Sequence, residues 1–469
     1  MNNNANIVDL KRNLTNRHIQ LIALGGAIGT GLFLGSAGVL KSAGPSMILG
    51  YLIAGLVAFL MMRQLGEMIV EEPVAGSFSY FAKKYCGEYA GFLSGWNCSI
   101  MYILVGMAEL TAVGKYVQFW WPEIPTWLTA MLFFALVNLI NLLNVKAFGE
   151  AEFWFAIVKV SAIVGMILLG GYLLATAPLD SVSKISNLWR YGGFFPNGTY
   201  GLVMAMPFIM FSFGGLEMLG FTAAEAKNPS VTIPKAINQV LNRVLLFYVG
   251  ALSVLLALTP WSTLVDVLLK SADPYGSSPF VMVFSILGSD VAANLLNFVV
   301  LTAAVSVYNS TVYCSSRQLL GMAEQGNAPS ALKRLSKNSV PVSCVFWTAA
   351  ATLASVALNY FLPSEALELL MALVVSALVL NWALISIIHL KFKRCLLNKG
   401  RRSTFPSIAH PLSNILVLIF VAFIFLVMFM IPAVRVSVLL APAWLVFLYI
   451  VHKFFVSKDK VRVAVSECD

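Results

Sequence analysis

The stretch "GGAIGTGLFLG", Gly25–Gly35, places five glycines among eleven residues in the middle of an apolar run. The run is long enough to cross a bilayer as a helix. Glycine in a helix interior costs up to about 1 kcal/mol relative to alanine, so a crossing that concentrates glycine near its centre needs a reason. One reason is packing: Gly25-x-x-x-Gly29 and Gly31-x-x-x-Gly35 are both spacings that let membrane helices approach closely. The other is that the helix unwinds there. A phosphate loop is excluded, because no strand precedes the glycines and no Gly-Lys-Ser/Thr closes them.

The rest of the chain sets the context. Of 469 residues, 59% are hydrophobic and 11% charged, with a mean hydropathy of +0.83. A water-soluble domain could not bury that much apolar surface. About twelve spans are predicted, at 19–40, 44–68, 94–120, 126–146, 152–175, 201–224, 238–259, 280–312, 341–361, 365–390, 412–432 and 434–455. We number them 1 to 12. The formal charge of +10 does not point to nucleic acid, because the basic residues alternate by side. With the N-terminus inside, 24 Lys and Arg fall on the cytoplasmic side and six outside. The positive-inside rule then places both termini in the cytoplasm. The first 18 residues are polar and basic, and no cleavable leader is expected. None of the six cysteines falls in a predicted outer loop, so no disulfide framework is expected. His18, His389, His410 and His452 fall at cytoplasmic ends, where structural roles are expected.

A second interruption, "MFSFGGLEMLGF" at Met210–Phe221, lies in span 6. Its adjacent glycines, Gly214 and Gly215, do not fit the packing spacing. Five crossings separate it from the first interruption, and five is odd, so a repeated five-helix unit enters the membrane inverted. Paired interruptions in two halves mark an inverted-repeat transporter. The expected organisation is a cytoplasmic tail at 1–18, a first repeat at 19–175, a second at 201–390, two added helices at 412–455, and a tail at 456–469. Unwound backbone in a membrane must face protein or a wet cavity. After its break, span 1 restarts with bare N–H groups, from Thr30 and Gly31, facing the gap beside Gly29. These suit a carboxylate. Carbonyls of Ala27, Phe211 and Gly214, beside Ser212 and Gly215, suit an ammonium. The two charges together describe an α-amino acid.

Five segments then acquire a common reading: "RHIQLIALGGAIGTGLFLGSAG", "GEMIVEEPVAGSFSYFA", "MFSFGGLEMLGFTAAEAKNP", "SVYNSTVYCSSRQLLGMAEQGNAP" and "LMALVVSALVLNWALISIIHLKFKR". Together they resemble the amino acid–polyamine–organocation (APC) superfamily, and within it the bacterial aromatic amino acid permeases. The resemblance runs from about residue 8 to the last helix. It implies an all-α membrane protein of the leucine-transporter type, a 5+5 inverted repeat plus two helices, and proton-driven uptake.

Several polar residues inside the spans are candidates for the mechanism. Lys159 in span 5 lies seven residues past Glu152, roughly 10 Å along a helix. It is either buried and paired or snorkelling to the cytoplasmic face. The resemblance implies that it couples the proton. Glu217 directly follows the span 6 break, and serves either the proton or inner gate, or as a structural cap. Glu109 in span 3 belongs to the proton path or bonds one helix to another. The resemblance implies that Phe211 closes over substrate. Span 3 passes the site, with Cys98, Ser99 and Tyr102 available to line it. The chain departs from the aromatic-permease pattern at Asn97–Ser99, where those permeases carry bulkier aromatics, and at Pro207.

The expected function is a proton-coupled permease that imports amino acids, aromatic ones first, across a bacterial cytoplasmic membrane. Its partners are a free L-amino acid, H⁺ and membrane lipid, with no nucleic acid and no cofactor beyond the proton. It is expected to be a monomer or weak oligomer. The alternatives are a permease or exchanger for aliphatic amino acids, proline or GABA-like substrates, and a non-transporting sensor. A membrane enzyme would need a catalytic constellation that the sequence lacks.

Overall fold

The computed structural model describes residues 28–74, 77–143, 145–178, 181–222, 228–270, 278–337, 339–362 and 365–456. These residues form helices joined by short turns. In the described part of span 1, Thr30–Phe33 is followed by Ser36–Ala43. Gly44, at φ +58°, breaks the chain into span 2, Met47–Glu71. That backbone region suits glycine, and a methyl group there would also sit 2.5 Å from Pro196. Spans 3, 4 and 5 are Glu88–Gln118, Thr126–Leu143 and Val145–Thr176. Span 6 has two parts, Gly198–Phe211 and Leu219–Thr222. Span 7 runs Pro229–Arg243, then a π-helical Val244–Gly250, then Ala251–Leu258. Span 8 is Asp290–Glu324, and span 9 is Val342–Thr352 with Ala354–Phe361. Spans 10, 11 and 12 are Ala366–Asn398, Leu412–Met430 and Pro432–Val451.

One predicted span is corrected. The apolar run 280–312 is not one crossing. Pro279–Ile286 is a separate short helix, capped by the Ser278 hydroxyl, which accepts from Phe280 N at 3.3 Å. Span 8 starts afresh at Asp290, whose acid suits a helix N-terminus. The turn at Gly288–Ser289 is hidden in sequence because apolar residues continue on both sides of it.

The pairing of spans follows the inverted repeat. Span 1 packs on span 6, span 2 on span 7, span 3 on span 8, and span 4 on span 9. Each of spans 1 to 4 thus meets its counterpart five crossings later. Span 3 is the best covered, with 83% of its central window buried, and span 12 the least, at 17%. Span 3 is therefore a wall of the centre, and span 12 presents its apolar side chains outward. Leu132, Leu136, Leu139 and Leu143 do the same on span 4, as a lipid-facing surface requires.

Polar side chains fasten spans 2, 10 and 11 to one another at one end. Buried Glu67 of span 2 accepts hydrogen bonds from His389 Nε2 (2.9 Å), Lys393 Nζ and Ser407 N (2.7 Å). Asn414 Nδ2 donates to His389 Nδ1 at 3.0 Å, leaving Nε2 to serve Glu67. His389 thus takes a structural place between spans 2, 10 and 11. Cys86, Cys98, Cys314 and Cys344 form no disulfide.

Candidate functional site

The described part of the first glycine-rich stretch and the second stretch meet at the centre of the molecule. In span 1, Gly29 is extended (φ −132°, ψ −161°) and Thr30 opens the helix. A second irregularity follows, where the amides of Leu34 and Gly35 both donate to Thr30 O (2.8 and 2.9 Å). The carbonyl of Phe33 takes the hydroxyl of Ser278 at 2.6 Å. Ala27 lies outside the described residues.

Span 6 loses its helix after Phe211. Ser212, Phe213 and Gly214 donate to carbonyls three residues back (3.0, 3.0 and 3.2 Å). Gly215 then takes φ +98°, a conformation suited to glycine, and the chain rewinds through Leu216–Met218. The freed carbonyl of Ser212 accepts from Tyr248 OH at 2.8 Å, and the Ser212 hydroxyl lies 3.3 Å from Tyr51 OH. The Tyr248 ring stacks on Phe213 (5.1 Å) and on Tyr51 (5.2 Å). The π-helical turn in span 7 carries Tyr248, and such turns recur at functional sites. Spans 2 and 7 thus satisfy a backbone that lipid could not.

The two breaks touch. A methyl group on Gly31 would sit 2.6 Å from Ser212 Cα and 2.9 Å from its N. One on Gly29 would lie 3.0 Å from Glu109 Oε1. Glycine permits the approach, and span 6 is interrupted where it meets the helix that starts at Thr30.

Glu109 sits on the new N-terminus of span 1. Its Oε2 accepts the Thr30 hydroxyl at 2.5 Å, and its Oε1 accepts the Thr30 amide at 3.3 Å. It is 2% exposed. A carboxylate of the protein thus occupies the donor set that the sequence offers to a ligand carboxylate. Charge-assisted bonds of this kind are roughly twice as strong as neutral ones.

Lys159 is 0% exposed, so its side chain does not snorkel to the cytoplasmic face. It lies within electrostatic reach of Glu152 and Glu109. Glu152 is itself buried and accepts from Ser306 Oγ and Asn309 Nδ2, both at 2.7 Å. A buried charge without partners would be prohibitive, and here spans 3, 5 and 8 supply them. Glu217 is also buried, and has no side-chain hydrogen-bond partner among the described residues. It lies beside the break, in the neighbourhood of the main-chain amides of Gly215 and Glu217 and of Cys98 and Tyr102.

A central space is left between the breaks. Gly29, Gly31, Phe211, Ser212 and Gly214 line it, with Val105 and Glu109 of span 3 and Val307 of span 8. Its volume is about 10 Å³, comparable to one water, so the protein is closed on this site. Cys98, Tyr102, Val105 and Glu109 follow one face of span 3. Ser99 lies off that face and lines a separate cavity with Trp96, Trp347 and Trp444. Val105 and Val307 are absent from the residues expected from sequence. The four- and three-residue steps from Cys98 point to Val105, whereas nothing local marks Val307. Tyr51 and Tyr248 were likewise unmarked, apart from being buried tyrosines in equivalent spans of the two repeats. Among the described residues, no three His, Cys, Asp or Glu side chains gather as a metal site requires.

Comparison with known proteins agrees with this architecture. The model of the amino acid permease family matches residues 18–465. The aromatic amino acid transport protein AroP of Escherichia coli K12 is 58% identical over 457 residues, covering 97% of each chain. The protein of the same name from Salmonella typhimurium LT2 is 59% identical over 439 residues, 94% of each. The amino-acid permease AapA of Bacillus subtilis is 42% identical over 446 residues, 95% of each.

Proposed function

Because the chain belongs to the amino acid permease family, we propose that it imports aromatic amino acids together with protons across a bacterial cytoplasmic membrane, by alternating access and with both termini inside. The relatives named for aromatic amino acid transport support the substrate class. The observation that carries the coupling is the Glu109 carboxylate on Thr30.

The amino acid's carboxylate is attracted to the restarted end of span 1, where Glu109 already stands. Two carboxylates there would repel strongly in a low dielectric. A proton on Glu109 removes that repulsion and frees the Thr30 amide for substrate. Binding of proton and amino acid thus become mutually favourable. Lys159, within reach of Glu109 and Glu152, supplies the countercharge when Glu109 gives its proton up. The ammonium sits against the carbonyls of the span 6 break, and Phe211 closes over the side chain. Tyr102 and Cys98 flank the ring, and Glu217 guards the inner side. Since the central space is about 10 Å³, entry requires the broken halves to move apart. Rocking of one bundle about a fixed site accomplishes this.

Uptake of labelled phenylalanine into proteoliposomes under an imposed pH gradient tests the reading. Accumulation above equilibrium, competed by tyrosine and tryptophan, is expected. Strict one-for-one trade without net accumulation would identify an exchanger, and competition by aliphatic amino acids alone would refute the substrate class.

A further inference from the structure

A cavity of about 420 Å³ lies between spans 3, 10 and 12, apart from the central space. This volume falls within the range of about 300–1,000 Å³ typical of small-molecule sites. Ile100 and Leu104 of span 3, Leu373 and Leu380 of span 10, and Leu440 and Phe447 of span 12 give it apolar walls. Leu440 is 49% exposed and Phe447 54%, so the cavity opens on the lipid-facing surface. Its few polar side chains are engaged within the protein. Ser376 Oγ donates to Ser437 Oγ at 3.1 Å, and Ser437 Oγ donates to Val434 O at 2.6 Å. Asn97 Nδ2 donates to Ala377 O at 3.0 Å and to Asn381 Oδ1 at 2.8 Å, and its own Oδ1 is buried. An occupant therefore meets hydrocarbon on every side, which suits an acyl chain.

The span 10 wall leads from hydrocarbon to charge. Leu373, Ser376, Ala377 and Leu380 share one helix face. The same three- and four-residue steps continue through Leu384 and exposed Ile387 to Lys391 and Arg394, both exposed. Lys391 lies eleven residues past Leu380 and Arg394 fourteen, roughly 16 and 21 Å along the helix. Leu380 is near the middle of span 10, and half the hydrocarbon core of a bilayer is about 15 Å deep. The two cations thus stand at a membrane surface, the inner one in the topology proposed above. Neighbouring cations are already paired, Lys393 with Glu67 and Arg401 with Glu71. Among the described residues, no carboxylate forms an ion pair with Lys391 or Arg394.

We propose that this groove is a binding site for one anionic phospholipid of the inner leaflet, with an acyl chain between spans 3, 10 and 12 and the headgroup phosphate at Lys391 and Arg394. The choice of leaflet rests on the topology of the preceding section; the site itself does not. Charge selects the headgroup. A phosphate with no cation of its own is attracted by both basic residues, whereas the ammonium of a zwitterionic lipid is repelled by them. Each basic residue near an anionic headgroup strengthens binding roughly fivefold, so the pair predicts a preference of about 25-fold. The guanidinium of Arg394 can also hold a phosphate through two parallel N–H groups. The bound chain ties span 12, the least covered span at 17%, to spans 3 and 10. A lipid that binds only the folded protein stabilises it, so the thermal midpoint rises when the site is filled.

Native mass spectrometry of the full chain in detergent tests the proposal, by titration with phosphatidylglycerol or phosphatidylethanolamine carrying the same acyl chains. The wild type is expected to retain one phosphatidylglycerol at a concentration roughly 25-fold below that needed for phosphatidylethanolamine. Lys391→Gln combined with Arg394→Gln removes this preference, while Lys391→Arg keeps it. Ala441→Phe fills the groove that Ala441 lines and abolishes retention of the tightly held lipid. Leu380→Trp, from the opposite wall, is the second groove variant should the first not fold. Equal retention of the two lipids by the wild type overturns the proposal, as does phosphatidylglycerol binding that survives either the charge or the groove variants. A dimer that Ala441→Phe dissociates would place a second copy of the chain in the groove and overturn it too. The measurement involves no transport, so its failure leaves aromatic import standing, and failed uptake of phenylalanine leaves this site standing. Thermal midpoints matching the wild type without added lipid show that the variants are folded.

Discussion

Adding one methyl group at Gly31 tests whether the two broken spans must touch. In Gly31→Ala the new carbon would lie 2.6 Å from Ser212 Cα, against 3.4 Å for ordinary contact, so something must move by 0.8 Å (3.4 less 2.6). Ser212 is poorly placed to give way. Its amide donates to Ile209 O at 3.0 Å, its carbonyl accepts from Tyr248 at 2.8 Å, and its hydroxyl faces Tyr51 at 3.3 Å. Moving it strains these bonds, and leaving it requires span 1 to shift. Overpacking of this kind costs about 1–3 kcal/mol. At about 1.4 kcal/mol per factor of ten, the closed arrangement is disfavoured roughly five- to 150-fold. Because each transport cycle passes through that arrangement, the expected result is a loss of up to that order in the initial rate of phenylalanine uptake into proteoliposomes. Gly171→Ala in span 5 is the control, since a methyl group there meets nothing within 4 Å and alanine favours a helix. If Gly31→Ala transports at the wild-type rate, spans 1 and 6 do not form one surface in the working protein, and the reasoning fails.

Other outcomes follow from the same geometry. Glu109→Gln keeps a side chain of similar shape but cannot ionise, so accumulation driven by a pH gradient should vanish while counterflow persists; undiminished proton-driven accumulation would exonerate Glu109. Lys159→Met should uncouple or abolish transport, because buried Glu152 and Glu109 lose their shared countercharge; full proton-driven accumulation in this variant would remove Lys159 from the mechanism. Tyr248→Phe retains the stacked ring but leaves the Ser212 carbonyl without its donor, at about 1–3 kcal/mol for a buried group. A lowered thermal midpoint and weaker phenylalanine binding are expected, and no change in either would mean that the break does not depend on Tyr248. Phe211→Ala should raise the KM for phenylalanine, and an unchanged KM would place the ring elsewhere.

Apolar runs, glycine positions and the distribution of Lys and Arg are local properties, and they were enough to determine a polytopic all-α chain with an interruption near Gly214. The face of span 3 carrying Cys98, Tyr102 and Glu109 was also legible, since helical period alone sets which residues share a side. Which helix that side meets was decided only by tertiary structure. Glu109 reaches Thr30 across 79 positions, and Tyr248 reaches Ser212 across 36, pairings that no local pattern encodes. Ser99 and Val307 show the same limit: in a membrane, a residue against lipid and a residue against another helix are both surrounded by hydrocarbon. Sequence apolarity therefore cannot distinguish them, and packing alone settles which of them faces the centre.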